Sequence, residues 1–278
     1  MAQPGAHLRE MTVILCADDF GYSAGIDRAV LSLLEAGRLT AVSCMSTAPR
    51  WREDAPALLE QAAGRADLGL HLNLSEDFEA APRGLSLRSL ILRAYTGSLS
   101  PVELRLRIAL QLDAFESALG QAPDFVDGHQ HVHQLPIVRR VLLAELARRY
   151  AGRLPWLRDT TPARALRVGF KPRLIAGLGA SALRRQAARR GFVQNRGFAG
   201  VYGFEGDEAD YFHRLLDWLA ALACEGGRGL LMCHPGLDEA AGDPIAHARQ
   251  HEYVVLRGEA FEQALAALGL SLGRLARG

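Results

Sequence analysis

Residues 127–133 read DGHQHVH, an aspartate and three of the chain's nine histidines within seven positions. Three other short runs carry similar residues: ADD at 17–19, GLHLNL at 69–74 and MCHPG at 232–236. Asp18, Asp19, His71, Asn73, Asp127, His129 and His234 stand in these runs where apolar stretches end. One carboxylate with two neutral imidazoles and open positions is the donor set of a divalent metal that activates water. Adjacent carboxylates repel unless a cation or a hydrogen-bond network compensates, and a metal resolves that conflict. Neighbouring residues of a strand face opposite ways, so one of Asp18 and Asp19 can bind the cation while the other handles a proton. A competing use for the pair is as a helix N-cap, although Ser23 is already available for that task.

These residues need a frame that brings them together, and the chain reads as one. Apolar runs rich in β-branched residues alternate with helical patterns. Strands are expected at 12–19, 40–47, 67–74, 124–130, near 156, within 192–204 and at 229–234. Helices are expected at about 23–36, 52–63, 101–119, 136–150, 180–190, 208–224 and 259–268. The rhythm predicts an α/β fold, a single irregular (β/α) barrel of about seven parallel strands whose C-terminal ends meet at one mouth. No G-x-G-x-x-G follows the first strand and no P-loop motif occurs, which removes the best support for nucleotide binding. Two stretches, 75–100 and 235–258, break the rhythm and are expected to be active-site loops; the second holds Arg249 and Glu252. Arg249 would orient substrate there or form a surface salt bridge. In DGHQHVH, positions 127, 129, 131 and 133 share parity, but Pro136 forces an early turn. His129 therefore lies nearest the strand end as a ligand, and His131 and His133 fall on the loop behind it or against substrate.

The 278 residues are 49% hydrophobic, enough for a substantial core, and 12–278 reads as a single domain behind a loose leader at 1–11. A net charge of +1 gives no reason to expect nucleic acid. The four cysteines lack metal-type spacing and read as reduced, buried thiols. With no secretory signal and no membrane-spanning run, a cytoplasmic protein is expected. From Arg153 to Arg196 eleven basic residues face one acid, Asp159. Such a run is a solvated face or, mixed as here with LIAGLGASAL, a peripheral contact with an anionic inner-membrane surface. Nothing in the sequence sets an oligomeric state.

The four runs, in this order and spread over most of the chain, resemble the YdjC-like carbohydrate deacetylases, a family that includes chitooligosaccharide deacetylase and the hopanoid-associated deacetylase. The resemblance implies a (β/α) barrel, one divalent metal ion and hydrolysis of the N-acetyl group of an N-acetylglucosamine-type sugar, free or lipid-linked. Carried over, Asp19, His71 and His129 are metal ligands, Asp18 is the general base and His234 the general acid. Asn73, Asp127, His131, His133 and Arg249 remain as candidates for substrate contact. Magnesium or zinc is expected, with manganese or cobalt also suited to such ligands. Gly128 and Gln130 depart from the family's usual D-S-H-H-H-V-H. Competing readings are a metal-dependent phosphoesterase or aldolase on a barrel, and a sugar-binding barrel without catalysis.

Overall fold

The computed structural model describes residues 11–78, 84–167, 169–238 and 242–275; apart from Met11, the expected leader lies outside them. Strands and helices alternate: β1 (Met11–Phe20), α1 (Ala24–Glu35), β2 (Ala41–Cys44), α2 (Trp51–Ala62), β3 (Asp67–Leu72), α3 (Leu87–Thr96), α4 (Pro101–Leu119) and β4 (Phe125–Gly128). A 3-10 turn, His129–Gln134, leads to α5 (Val138–Arg149), β5 (Trp156–Leu157), α6 (Phe170–Gly177), α7 (Ala180–Ala188), β6 (Phe198–Ala199), α8 (Glu208–Ala223) and β7 (Gly229–Cys233). The chain ends with α9 (Ala246–Arg257), α10 (Glu259–Ala267) and β8 (Leu270–Leu272). Every ladder is parallel, in the order β5-β4-β3-β2-β1-β7-β6, with β8 pairing the first residues of β1. The sheet curls into an irregular, partly closed barrel, as the α/β rhythm predicts. Its edge strands β5 and β6 are joined by two single bridges, Leu157 with Gln194 and Pro162 with Phe198.

Strand periodicity sorts the core into two compartments. Ile14, Cys16, Ala41, Phe125, Trp156, Phe198, Leu230 and Met232 fill the barrel interior. Their alternates, including Val13, Leu15, Val42, Leu70, Val126, Leu157 and Leu231, meet the helices outside. Gly69 sits on the inner file because the Phe125 ring crosses it; a Cβ there would come within 2.4 Å of that ring. Ser23 caps α1 by accepting from the Ile26 N–H at 3.4 Å, so neither adjacent aspartate is spent as a helix cap.

The expected strands exist: β1 is one residue longer at each end than 12–19, 40–47 reduces to Ala41–Cys44, and the strand expected within 192–204 is Phe198–Ala199. The two stretches expected as loops contain helices, α3 in the first and α9 in the second. Arg249 and Glu252 therefore sit on a helix, and both are buried, which corrects the surface-loop reading. Among the described residues no helix is long and apolar enough to cross a membrane.

Candidate active site

Continuing the inner file of each strand by two residues leads from the apolar interior to its polar lid. Cys16 is followed by Asp18, Ala41 by Ser43, Gly69 by His71, Phe125 by Asp127, Trp156 by Arg158 and Met232 by His234. Asp19 has the wrong parity for this lid and reaches it through a backbone irregularity. The β1–β2 register shifts between Ala17 and Phe20, and Asp19 adopts φ 69°, a left-handed conformation that costs a non-glycine residue about 1–3 kcal/mol. That bulge turns Asp19 inward beside Asp18, so both adjacent carboxylates face the barrel.

Asp19 Oδ1 lies 3.1 Å from His129 Nδ1 and 3.4 Å from His71 Nε2. These three residues form a group whose ligand atoms all lie within 4.8 Å of one another. Behind it, His71 Nδ1 donates to Asp127 Oδ1 at 2.7 Å, and Ser43 Oγ donates to the same oxygen at 2.5 Å. A carboxylate behind the ligating histidine fixes its tautomer and leaves Nε2 for the cation. Asp127 is completely buried and so supports the ligand set instead of lining the mouth. Burial alone would lower His71, but Asp127 and Asp18 outweigh it and push its pKa up to about 10. Burial likewise opposes ionisation of Asp19, yet Arg249, His129 and His71 hold its carboxyl well below the usual range. One carboxylate oxygen and two imidazole nitrogens, oriented from behind, fit a divalent cation. Glu76 Oε1 stands 3.5 Å from the outer nitrogen of His129, at the entrance to the cluster.

A second acidic group, Cys16, Asp18 and Asp127, also has metal-like spacing. The Arg158 guanidinium already occupies it. Its Nη1 and Nη2 donate to the two oxygens of Asp18, each at 2.6 Å, while Nη2 also lies 2.6 Å from Asp127 Oδ2 and 3.0 Å from Cys16 Sγ. Arg158 is 0% exposed, unlike the other ten basic residues of the 153–196 run, which are half-buried or exposed. Asp18 is thus held as an ion-paired carboxylate next to the candidate metal cluster. Its charge conflict with Asp19 is met by two arginines as well as by the histidines.

His234 ends β7 and is partly exposed. Its backbone N–H donates to Glu252 Oε2 at 2.6 Å, and its ring lies edge-on to Phe204 with centroids 5.4 Å apart. Burial pushes its pKa down to about 4. Glu252 also accepts from Tyr202 Oη at 2.8 Å and Tyr211 Oη at 3.5 Å, and burial pushes it up to about 7. Arg249 Nη2 donates to Asp19 Oδ2 and Nε to Asp243 Oδ2, each at 2.6 Å, while Nη1 is buried without a hydrogen-bond partner.

The remaining candidates serve other ends. Asn73 accepts from the Ser75 and Glu76 N–H groups through Oδ1 and donates to the Glu76 carbonyl, so it shapes the turn that carries Glu76. His133 is fully buried, and its Nε2 pairs with the Arg158 carbonyl at 3.1 Å, joining the 3-10 turn to β5. His131, half-buried at φ 60°, packs edge-on against Phe198. Gly128 lets the chain fold back, since a Cβ there would stand 3.0 Å from the His133 nitrogen. The sequence reading overlooked Arg158, Ser43 and Glu76; the inner-file parity of Trp156 and Arg158 is the signal that would have found the first.

Residues 12–267 match the family model described as YdjC-like protein. A chitooligosaccharide deacetylase of Klebsiella pneumoniae (strain 342) is 27% identical over 274 residues, covering 95% of this chain and 98% of the relative. A carbohydrate deacetylase of Mus musculus is 31% identical over 177 residues, 55% of this chain and 56% of the relative, so that match spans only about half of each protein. A crystal structure from Enterococcus faecalis V583, described as that of a cellobiose-phosphate cleavage protein, superposes with TM-score 0.68 at 21% identity over 95% of this chain and 97% of the other. That likeness bears on the fold alone.

Proposed function

The chain belongs to the YdjC-like protein family, and from that premise we propose that it is a metal-dependent carbohydrate N-deacetylase acting on an N-acetylglucosamine-type sugar. The observation that carries the reading is the meeting of Asp19, His71 and His129 beside an Asp18 ion-paired to Arg158. Asp19, His71 and His129 would hold the metal, with magnesium or zinc favoured. A divalent cation so held supplies Lewis-acid polarisation of the amide carbonyl and makes water more acidic. Asp18, held through both oxygens by the Arg158 guanidinium, accepts a proton from the attacking water. The water oxygen bonds to the acetamide carbon, and the C–N bond then breaks. The leaving nitrogen needs a proton, and His234 is the group assigned to give it. Burial leaves His234 neutral in the free protein. His234 is partly exposed and takes the proton it donates from bulk solvent, while the proton accepted by Asp18 returns to solvent after turnover, so the cycle balances. Acetate and the free amino sugar are the products.

Acetate release from a panel of N-acetylated chitooligosaccharides, with and without chelator, tests the reading. Chelator-sensitive release supports it; no release from any sugar by the metal-loaded protein would favour the sugar-binding barrel, and phosphate release from sugar phosphates would favour a phosphoesterase.

The same reading extends to a surface contact. Helix α6 buries none of its residues, and Phe170 and Leu174 are 80% and 51% exposed. The same stretch of chain carries exposed Arg167, Arg173, Arg184, Arg185, Arg189 and Arg190. Lys171 ties α6 to the mouth by donating to the Tyr202 carbonyl at 2.6 Å, with its Nζ 4.6 Å from the centre of the Phe204 ring that packs on His234. Exposed apolar side chains in a basic segment suit an anionic membrane surface. Sedimentation with phosphatidylglycerol vesicles should therefore pull down the protein at low salt, and failure to do so would sink this contact.

A further inference from the structure

Helix α9 follows the mouth and buries Arg249, Glu252 and Leu256, three and four residues apart, on one face. The two charged members of that face end on different strands. Arg249 holds the second oxygen of Asp19 at the end of β1, while Asp243, just before the helix, holds Arg249 Nε. Glu252 holds the main-chain N–H of His234 at the end of β7. We propose that α9 is a positioning clamp that sets the metal-binding carboxylate and the proton-donating histidine relative to each other, a proposal that rests on the deacetylase reading for the roles of Asp19 and His234.

The chemistry explains why each contact takes this form. A carboxylate ligand can rotate about χ2, and binding Asp19 Oδ2 to a guanidinium leaves Oδ1 aimed at His71 and His129. His234 has no hydrogen-bond partner on its buried Nδ1. Its ring is therefore placed through the backbone, by the short bond to Glu252, and through the edge contact with Phe204. Glu252 is itself fixed by two tyrosine hydroxyls, so the acceptor cannot swing away.

Gly236, which closes the MCHPG run, belongs to the same device. Its N–H donates to the Arg249 carbonyl at 3.1 Å, and a Cβ on it would lie 3.0 Å from Arg249 Cβ and 3.2 Å from Cδ. The glycine lets the Arg249 stem pass close under the loop to reach Asp19. An alanine there displaces the arginine without removing any charge.

The test uses the full chain with zinc alone as one probe, titrated against a chromogenic chelator, and an N-acetylated chitooligosaccharide as the other. Arg249→Met should weaken zinc binding by about tenfold or more, the range seen when groups supporting a metal ligand are removed. Gly236→Ala should weaken it in the same direction. Glu252→Ala should leave zinc binding within twofold, reduce kcat about tenfold or more with KM little changed, and speed hydrogen exchange of the His234 amide. Glu252→Gln keeps an acceptor for that N–H and should recover most of both. Wild-type zinc affinity in folded Arg249→Met and Gly236→Ala would overturn the β1 half of the clamp. Unchanged exchange at His234 in Glu252→Ala, or equal losses in the Ala and Gln variants, would overturn the β7 half. Absence of acetate release from the wild type, with the zinc and exchange patterns as expected, would remove the deacetylase reading and leave the clamp standing.

Discussion

Replacing Arg158 by methionine keeps most of the side-chain volume and removes one buried cation from between two carboxylates. In the wild type that guanidinium makes two 2.6 Å bonds to Asp18 and a 2.6 Å contact to Asp127, with no exposure to solvent. Deleting one partner of a buried ion pair costs about 3–5 kcal/mol. Here a single cation serves two acids, so the upper end, about 5 kcal/mol, is expected, a third or more of a typical domain's 5–15 kcal/mol. The loss must also depend on pH. Burial opposes ionisation of Asp127, but Arg158 and His71 hold its pKa below the ordinary carboxylate value, so its stabilising contribution is present above about pH 4 and disappears as pH falls further. Without Arg158, facing carboxylates in a dry site take up a proton, which relieves the variant as the solution becomes acidic. The deficit should therefore be greatest at pH 7–8 and shrink toward pH 5. Urea denaturation of chelated wild type and Arg158→Met at pH 5 and 8 measures it. A difference below about 1 kcal/mol at pH 8, or an equal deficit at both pH values, refutes the reasoning. The same variant should retain zinc and lose acetate release, because Asp18 loses the guanidinium that holds both its oxygens in place.

Asp19→Asn and His129→Ala should abolish metal binding, whereas Asp18→Asn should keep the metal and lose turnover. Metal content and acetate release measured together decide this: normal release by Asp18→Asn removes the base, and normal occupancy in His129→Ala moves the ligand elsewhere. Asp127→Asn should weaken metal binding about 10–100-fold through His71, read by chelator competition. In the metal-free protein, burial holds His133 and His234 at about 4, below their unfolded value near 6.5, so stability should rise with pH between those limits by up to about 1.4 kcal/mol per unit for each group. His71, raised to about 10, acts with the opposite sign: its contribution is complete below 6.5 and is lost as pH climbs through 10. Thermal melts with chelator from pH 4 to 10 should show a maximum between the two windows, and a flat profile would count against both. Gly69→Ala should cost about 1–3 kcal/mol in chemical denaturation, since its methyl meets the Phe125 ring that stacks on Trp156 at 4.2 Å.

The barrel was legible because its strands are apolar on both faces and separated by amphipathic helices, a signal that survives even where β5 and β6 shrink to two residues. The strand expected over 40–47 stops at Cys44, because propensity does not report where a ladder loses its partner. Helices α3 and α9 were hidden for a related reason. Leu87–Thr96 and Ala246–Arg257 follow long excursions, and α9 turns Arg249 and Glu252 inward, so its buried face does not look apolar. The turn after β4 was anticipated from Pro136, which separated His129 from His131 and His133. The bulge that turns Asp19 inward was not, since strict alternation would have sent it away from Asp18.

Charge balance is the part of the site that the motifs conceal and that the sequence could still have yielded. Asp18, Asp19 and Asp127 all end inside the barrel mouth, and one divalent cation with two neutral histidines cannot offset three buried carboxylates. Further cations were therefore required, from side chains that reach the same layer. Arg158 is two residues along the inner file from Trp156, and Arg249 belongs to the segment that follows His234. Read as a surface run, the basic stretch 153–196 masks Arg158 among ten arginines and lysines that do face solvent. Parity separates it from them, and the acids it neutralises supply the reason. The arginines also distinguish the adjacent carboxylates. Arg158 pairs with both oxygens of Asp18, whereas Arg249 holds a single oxygen of Asp19 and leaves the other facing His71 and His129. Under the proposed deacetylase function, that difference in partners is what would make one the base and the other the metal ligand, so Asp18 and Asp19, identical in type and adjacent in sequence, would not be interchangeable.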